Sequence, residues 1–185
     1  MISDFQRKKL VHLFNLLDLS ESGNLQLNDF AELAEKVRIK LNYEDRSKEH
    51  EVAVRKSVKF FYDLLREIPD HQDQTISLEQ WLDYFDENVV NSDDDDVISD
   101  HVQFFLDFLF GLFDENRDGF ISIDEYIDIF EVFGLEKSHL AKAFIKLDLN
   151  ADERLSRYEL IPAIETFLQS DDPEEVGNWV FGAWD

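Results

Sequence analysis

The segment Asp114-Glu115-Asn116-Arg117-Asp118-Gly119-Phe120-Ile121-Ser122-Ile123-Asp124-Glu125 constrains this chain more than any other. Oxygen-bearing side chains stand at positions 1, 3, 5, 9 and 12, glycine at 6 and an aliphatic residue at 8. This spacing wraps one short loop around a hard cation. The glycine takes the sharp bend, the aliphatic residue is left for a strand-like contact, and the closing carboxylate offers two oxygens at once. Such a loop is held by a helix on each side, so a single motif already implies a helix-loop-helix unit.

This is the pattern of an EF-hand calcium loop, and its flanks serve as a ruler. Apolar residues are expected at -4 and -1 on the incoming helix, at 13, 16 and 17 on the outgoing one, and at 8. Around Asp114 these are Phe110, Phe113, Tyr126, Ile129, Phe130 and Ile121. A loop starting at Asp148 gives Phe144, Leu147, Leu160, Ala163, Ile164 and Leu155. One starting at Asp18 gives Phe14, Leu17, Phe30, Leu33, Ala34 and Leu25, and one at Pro69 gives Leu65, Ile68, Trp81, Tyr84, Phe85 and Ile76. An ordinary amphipathic helix pair explains any one match. Recurrence of the frame four times predicts an all-α, compact fold of four EF-hand units in two pairs, with short two-stranded pairing between loops. The expected organisation is an N-terminal pair over 1–90, an acidic linker over 91–100 containing the aspartate run 93–96, a C-terminal pair over 101–170, and an aromatic tail over 171–185 packed on the core.

The loops differ in what they offer an ion. Calcium takes roughly six to eight hard oxygens. Loop three supplies Asp114, Asn116, Asp118, the Phe120 carbonyl, Ser122 (through water) and Glu125. Loop four supplies Asp148, Asn150, Asp152, the Arg154 carbonyl, Ser156 and Glu159, with Glu153 standing where glycine is usual. A side chain there costs about 1 kcal/mol, which weakens a site without abolishing it. Loop one offers Asp18, Ser20, Ser22, the Asn24 carbonyl, Gln26 and Asp29, with Gly23 at 6. Its two carboxylates and the shorter arm of Asp29 predict a weaker site, more tolerant of Mg²⁺. Loop two lacks a first ligand at Pro69, has His71 at 3 and Gln80 at 12, and keeps only Asp73. It is expected to be ion-free and to serve unit one as a packing partner. His71 has no second His or Cys beside it, so a transition-metal site is not expected. Two to three Ca²⁺ are expected in all.

Composition narrows the setting. With 18 basic and 42 acidic side chains the formal charge is -24, which attracts cations and basic peptides and repels nucleic acid and anionic membranes. There are 17 Phe, 5 Tyr and 3 Trp, enough aromatic mass for a packed core, and no Cys, so disulfides and thiolate chemistry are excluded. The chain starts without an apolar signal region, Ile2 departs from the myristoylation pattern, and no apolar run reaches membrane-spanning length. A cytoplasmic monomer with no integral membrane segment is expected. Neither a phosphate-cradling loop, a nucleophile elbow nor an H-E-x-x-H helix occurs, so enzymatic activity is not expected.

Beyond the loops, the opening from Ile2 to Phe14 and the closing Ser170-Asp-Asp-Pro-Glu-Glu-Val-Gly-Asn-Trp179-Val-Phe181-Gly resemble the sarcoplasmic calcium-binding protein and calexcitin family of EF-hand proteins. The resemblance spans essentially the whole chain. It implies a compact four-unit protein binding two or three calcium ions, typically at loops one, three and four. Those are the loops beginning at Asp18, Asp114 and Asp148, with Asp29 and Glu153 as departures. The tail aromatics Trp179, Phe181 and Trp184 are too apolar to trail in water, and Trp179 and Phe181 are expected to pack against the helix pairs.

Two roles follow. The first is a cytosolic calcium buffer or modulator of calcium signals that stays closed around its core. The second is a calexcitin-type sensor that changes conformation and binds a protein target or membrane. A single Met weighs against an adaptable calmodulin-like groove. A third arrangement, an aromatic interior holding a small organic ligand as in coelenterazine-binding photoproteins, is least favoured, because the motifs around the ligand-contacting positions and the typical C-terminal Pro are absent.

Overall fold

The computed structural model describes residues 1–69 and 72–182. The readings made of His71 and Trp184 lie outside the described residues. Helices α1 (Asp4–Leu17) and α2 (Leu27–Lys40) flank loop one, and α3 (Lys48–Glu67) and α4 (Leu78–Phe85) flank loop two. Helices α5 (Asp95–Phe113) and α6 (Ile123–Val132) flank loop three, and α7 (Lys137–Leu147) and α8 (Arg157–Gln169) flank loop four. A π-helical turn, Asp86–Val90, extends α4, and a 3-10 turn, Val176–Trp179, follows α8.

Two two-residue strand pairs join the loops within each half. Leu25 of β1 (Asn24–Leu25) pairs antiparallel with Ile76 of β2 (Ile76–Ser77), and Ile121 of β3 (Ile121–Ser122) pairs with Leu155 of β4 (Arg154–Leu155). These are the four residues at position 8 of the common frame, so the register is the one that alignment implies. Each is at most 1% exposed. Strands this short are held by that packing, since a lone two-stranded ribbon is marginal in water.

Local sequence explains where the helices start. Ser77, Ser122 and Ser156, each at position 9, cap α4, α6 and α8 and form reciprocal capping boxes with Gln80, Glu125 and Glu159 at position 12. One oxygen-bearing residue thus ends the loop and begins the helix. The aspartate run expected as linker divides differently. Asp94 caps α5, accepting from the backbone N–H groups of Asp96 and Val97, and the helix runs from Asp95. Carboxylates in a first helical turn face the positive end of the helix dipole, which makes this run a helix start as well as a charged one.

The core is continuous across both halves. Trp81 is fully buried, meets Phe14 edge-on at 5.9 Å and Phe85 at 4.6 Å, and donates its indole N–H to the Leu10 carbonyl at 3.0 Å. Phe105 of α5 bridges Phe85 at 6.3 Å and Phe181 of the tail at 5.5 Å. Phe181 is buried and meets Phe167 at 4.8 Å, while Trp179 is half-buried beneath the Lys146 ammonium.

Candidate metal centres

Three of the four loops share one internal bond network. In each, the carboxylate at position 1 accepts from the backbone N–H at position 6: Gly23 to Asp18 at 2.8 Å, Gly119 to Asp114 at 3.0 Å, and Glu153 to Asp148 at 2.9 Å. Its other oxygen accepts from the N–H at position 5, namely Ser22, Asp118 and Asp152, at 3.1, 3.1 and 3.2 Å. The backbone is left-handed at positions 4 and 6 in all three: Glu21 and Gly23, Arg117 and Gly119, Ala151 and Glu153. Glu153 adopts φ 67° where Gly119 has φ 83°, so it follows the glycine path with a side chain attached. That conformation carries the side-chain cost expected at position 6.

Loop two is built otherwise. Pro69 has neither carboxylate nor N–H, and the left-handed residues are Asp73 and Gln74, at positions 5 and 6. Gln80 keeps the capping role of position 12, accepting from Ser77 N–H at 2.9 Å, but brings no charge.

The closing residues set the three remaining loops apart. Glu125 accepts from Ser122 N–H at 3.0 Å, and Glu159 from Ser156 N–H at 2.9 Å and Asn150 N–H at 3.5 Å. Asp29, fully buried and one methylene shorter, spans the same two backbone positions more tightly, accepting from Ser20 and Gln26 N–H at 2.9 Å each. Asn116 and Asn150, at position 3, turn their amide oxygens inward and accept from Asp118 and Asp152 N–H at 3.0 and 3.1 Å. In loop one the Ser20 hydroxyl donates to Asp18 at 3.4 Å, while the Ser22 hydroxyl lies 3.4 Å from Asp18 and donates to the Asn24 carbonyl at 2.9 Å.

Electrostatics mark loop three. Burial pushes the Glu125 carboxyl above its ordinary value, the Ser122 N–H opposes this, and the Asp114 and Asp118 charges push it further up. Carboxylates that repel one another around a common space are a donor set suited to a cation. Among the described residues, no three His, Asp or Glu side chains close tightly on one point. The loops mix carboxylates with amide, hydroxyl and carbonyl oxygens, and only that mixture reaches a calcium-like count.

Side-chain roles outside the loops escaped the sequence reading. The clearest is Lys9, which is fully buried and donates to the carbonyls of Ser170 at 2.7 Å and Thr166 at 3.3 Å and to Asn178 Oδ1 at 3.1 Å. Its signal was a lysine in the inward stripe of α1, beside Gln6, Leu10 and Leu13.

Eight helices in four loop-joined units, paired through position 8, define an EF-hand-type calcium-binding protein. No protein-family model matches the chain. The chain is 25% identical to mitrocomin from Mitrocoma cellularia over 187 residues, 94% of this chain and 89% of that protein. Its fold is similar to the calcium-loaded apo form of the coelenterazine-binding protein from Renilla muelleri (TM-score 0.78, 18% identity, 99% of this chain and 100% of that one). It is also similar to a sarcoplasmic calcium-binding protein from amphioxus (TM-score 0.76, 19% identity, 100% of each chain). The chain is thus similar in sequence to mitrocomin, and in fold to the sarcoplasmic and coelenterazine-binding proteins.

Proposed function

We propose that the protein takes up calcium at loops one, three and four and acts as a cytosolic buffer or modulator of calcium signals. The observation that supports this best is the bond network of Asp18, Asp114 and Asp148, repeated in three loops and lost where Pro69 replaces the aspartate. In loop three Asp114, Asn116, Asp118, the Phe120 carbonyl and Glu125 hold the ion, with Ser122 acting through water. In loop four the set is Asp148, Asn150, Asp152, the Arg154 carbonyl and Glu159, with Ser156 in the water-bridged place. Loop one contributes Asp18, Ser20, Ser22, the Asn24 carbonyl, Gln26 and Asp29, with lower calcium affinity and more tolerance of Mg²⁺. The bound cation supplies charge neutralisation. The protein supplies an oxygen shell already held by its own backbone.

A buffer role fits the interior. The space between the helix pairs is filled by Phe14, Trp81, Phe85, Phe105, Phe167 and Phe181, each at most 1% exposed, and the tail is bonded to both halves. The same filling weighs against carrying over coelenterazine binding from the Renilla protein. The sensor reading rests on the calexcitin resemblance of the two chain ends. Calorimetric calcium titration, with N-phenylnaphthylamine fluorescence followed in parallel, separates the two. Two to three ions without a dye rise is the expected result. A dye rise on calcium addition, with calcium-dependent binding of a basic amphipathic peptide, selects the sensor.

A further inference from the structure

A groove of about 450 Å³ runs between α3 and α5 beside loop three, and its charge is opposite to that of the molecule. Lys56, Lys59, Arg117 and Arg157 line it together with Asp63, Asp107 and Asp114, a lining that is still net positive in a protein of formal charge -24. Their partners are unevenly shared. Lys59 pairs with Asp63, and Arg157 lies 3.9 Å from Asp107. Among the described residues no carboxylate lies within ion-pair distance of Lys56 or Arg117. Lys56 is also fixed in place. Its stem lies flat across Gly111, where an added Cβ would stand 3.3 Å from Lys56 Cδ, and its ammonium donates to the Gly111 carbonyl at 3.2 Å. The Arg117 and Arg55 charges crowd it, and the Asp114 charge offsets them only in part. Like charges held together on an acidic protein are explained more readily by a ligand than by the fold.

The floor is aromatic. Phe104 stacks on Phe60 at 4.8 Å with ring planes 9° apart, and Phe108 stacks on Phe60 at 4.0 Å. Arg157 covers Phe110 at 4.3 Å, so cation and ring surfaces are already interleaved. We propose that this groove binds a small organic anion with a flat aromatic body, the ring lying on the Phe104–Phe60–Phe108 stack and the anionic group facing Lys56 and Arg117. The volume is that of a small-molecule site, and the acidic surface beyond the rim repels nucleic acid and anionic membranes.

The test uses two probes sharing an aromatic body: anilinonaphthalene sulfonate and the neutral N-phenylnaphthylamine, titrated into the full chain in calcium buffer. The anionic probe is expected to bind about tenfold or more tightly than the neutral one, a preference that added salt reduces. Lys56→Glu and the rim variant Lys59→Glu should each weaken the anionic probe, with the larger loss at Lys56. Lys8→Glu, the same charge change on exposed α1 surface, should leave it unchanged. Phe104→Ala should weaken both probes. Equal affinity for the two probes overturns the proposal, as does unchanged anionic binding in a folded Lys56→Glu protein. If Lys56→Glu fails to fold, Lys59→Glu and Phe104→Ala decide: anionic binding unchanged in both overturns the proposal.

Discussion

At position 12 of loop three, Glu125 does two jobs, capping α6 through Ser122 and facing the Asp114 and Asp118 charges. Glu125→Gln should therefore keep the helix start, as Gln80 does in loop two, and remove the loop-three ion from the calorimetric stoichiometry. Protons compete for the same oxygens. The folded, ion-free Glu125 is pushed above the ordinary carboxylate value, so its charge disfavours the ion-free fold once pH rises through that raised value. Calcium affinity at loop three should fall as pH drops into the carboxylate range, and Glu125→Gln should remove that proton release. In loop four, Glu153→Gly relieves a side chain held at φ 67° in the ion-free fold and should stabilise that fold by about 1 kcal/mol in denaturant unfolding. Gln80→Glu, in contrast, should add no ion, because Pro69 still supplies no first ligand. Away from the loops, the fully buried Ser57 hydroxyl has no hydrogen-bond partner among the described residues. Ser57→Ala should stabilise the protein by about 1 kcal/mol in denaturant unfolding.

Among the elements, the tail and α1 depend on each other. Lys9 occupies the C-terminal end of α8 and ties the Ser170 carbonyl, and the Thr166 carbonyl that already accepts from Ser170 N–H, to Asn178. Ser3 reaches Asp171, Gln6 reaches the Gln169 carbonyl, and Tyr126 donates to the Trp179 carbonyl at 2.9 Å. Lys9→Met keeps the bulk but removes the buried donor to the Ser170 carbonyl, and should cost about 1–3 kcal/mol. Burial lowers the Lys9 pKa from 10.5 to about 8. Between those values the unfolded chain holds more protons, so stability should rise with pH from about 8 to 10.5 in the native protein and not in Lys9→Met. At Gly177 a Cβ would stand 2.5 Å from the Ala163 carbonyl oxygen. Gly177→Ala should lift the 3-10 turn off α8, with a loss of about 1–3 kcal/mol read by thermal unfolding.

These elements also show how far residue patterns reach. The helix-loop-helix frame was legible because position 8 and the flanking apolar residues recur in all four units, even where Gln80 replaces the closing carboxylate. Phe181 in the core followed from its apolar area alone. What side chains do across long sequence separations left no periodic trace. Lys9 reads as one more charge on a helix until the end of α8 is placed over it. The cations of the α3–α5 groove, Lys56 and Arg117, come from different units and meet only in the fold. Helix α5 starting inside the aspartate run was missed because a charge run suggests solvated chain, whereas Asp94 and its followers also satisfy a helix N-terminus.

For the whole molecule, charge and packing act in opposite directions. Phe105 touches Phe85 on one side and Phe181 on the other, and Lys40 of α2 pairs with Glu131 of α6 at 2.6 Å, so the two halves share their core and a polar bridge. Shared packing of this kind predicts one cooperative unfolding transition rather than two. Self-repulsion among 42 acidic side chains works against that packed state in the ion-free protein. Three Ca²⁺ at the proposed loops would change the formal charge from -24 to -18 (-24 plus three times 2), and would bind only where the loops are folded. Calcium at a hundredfold excess over a site's dissociation constant adds about 2.7 kcal/mol for that site. Scanning calorimetry should therefore show a single transition that moves upward with calcium. In the ion-free protein it should also move upward with simple monovalent salt, which screens the surface without filling the loops. Two separated transitions would show that the halves fold independently, and a salt-insensitive ion-free transition would show that surface charge does not limit its stability.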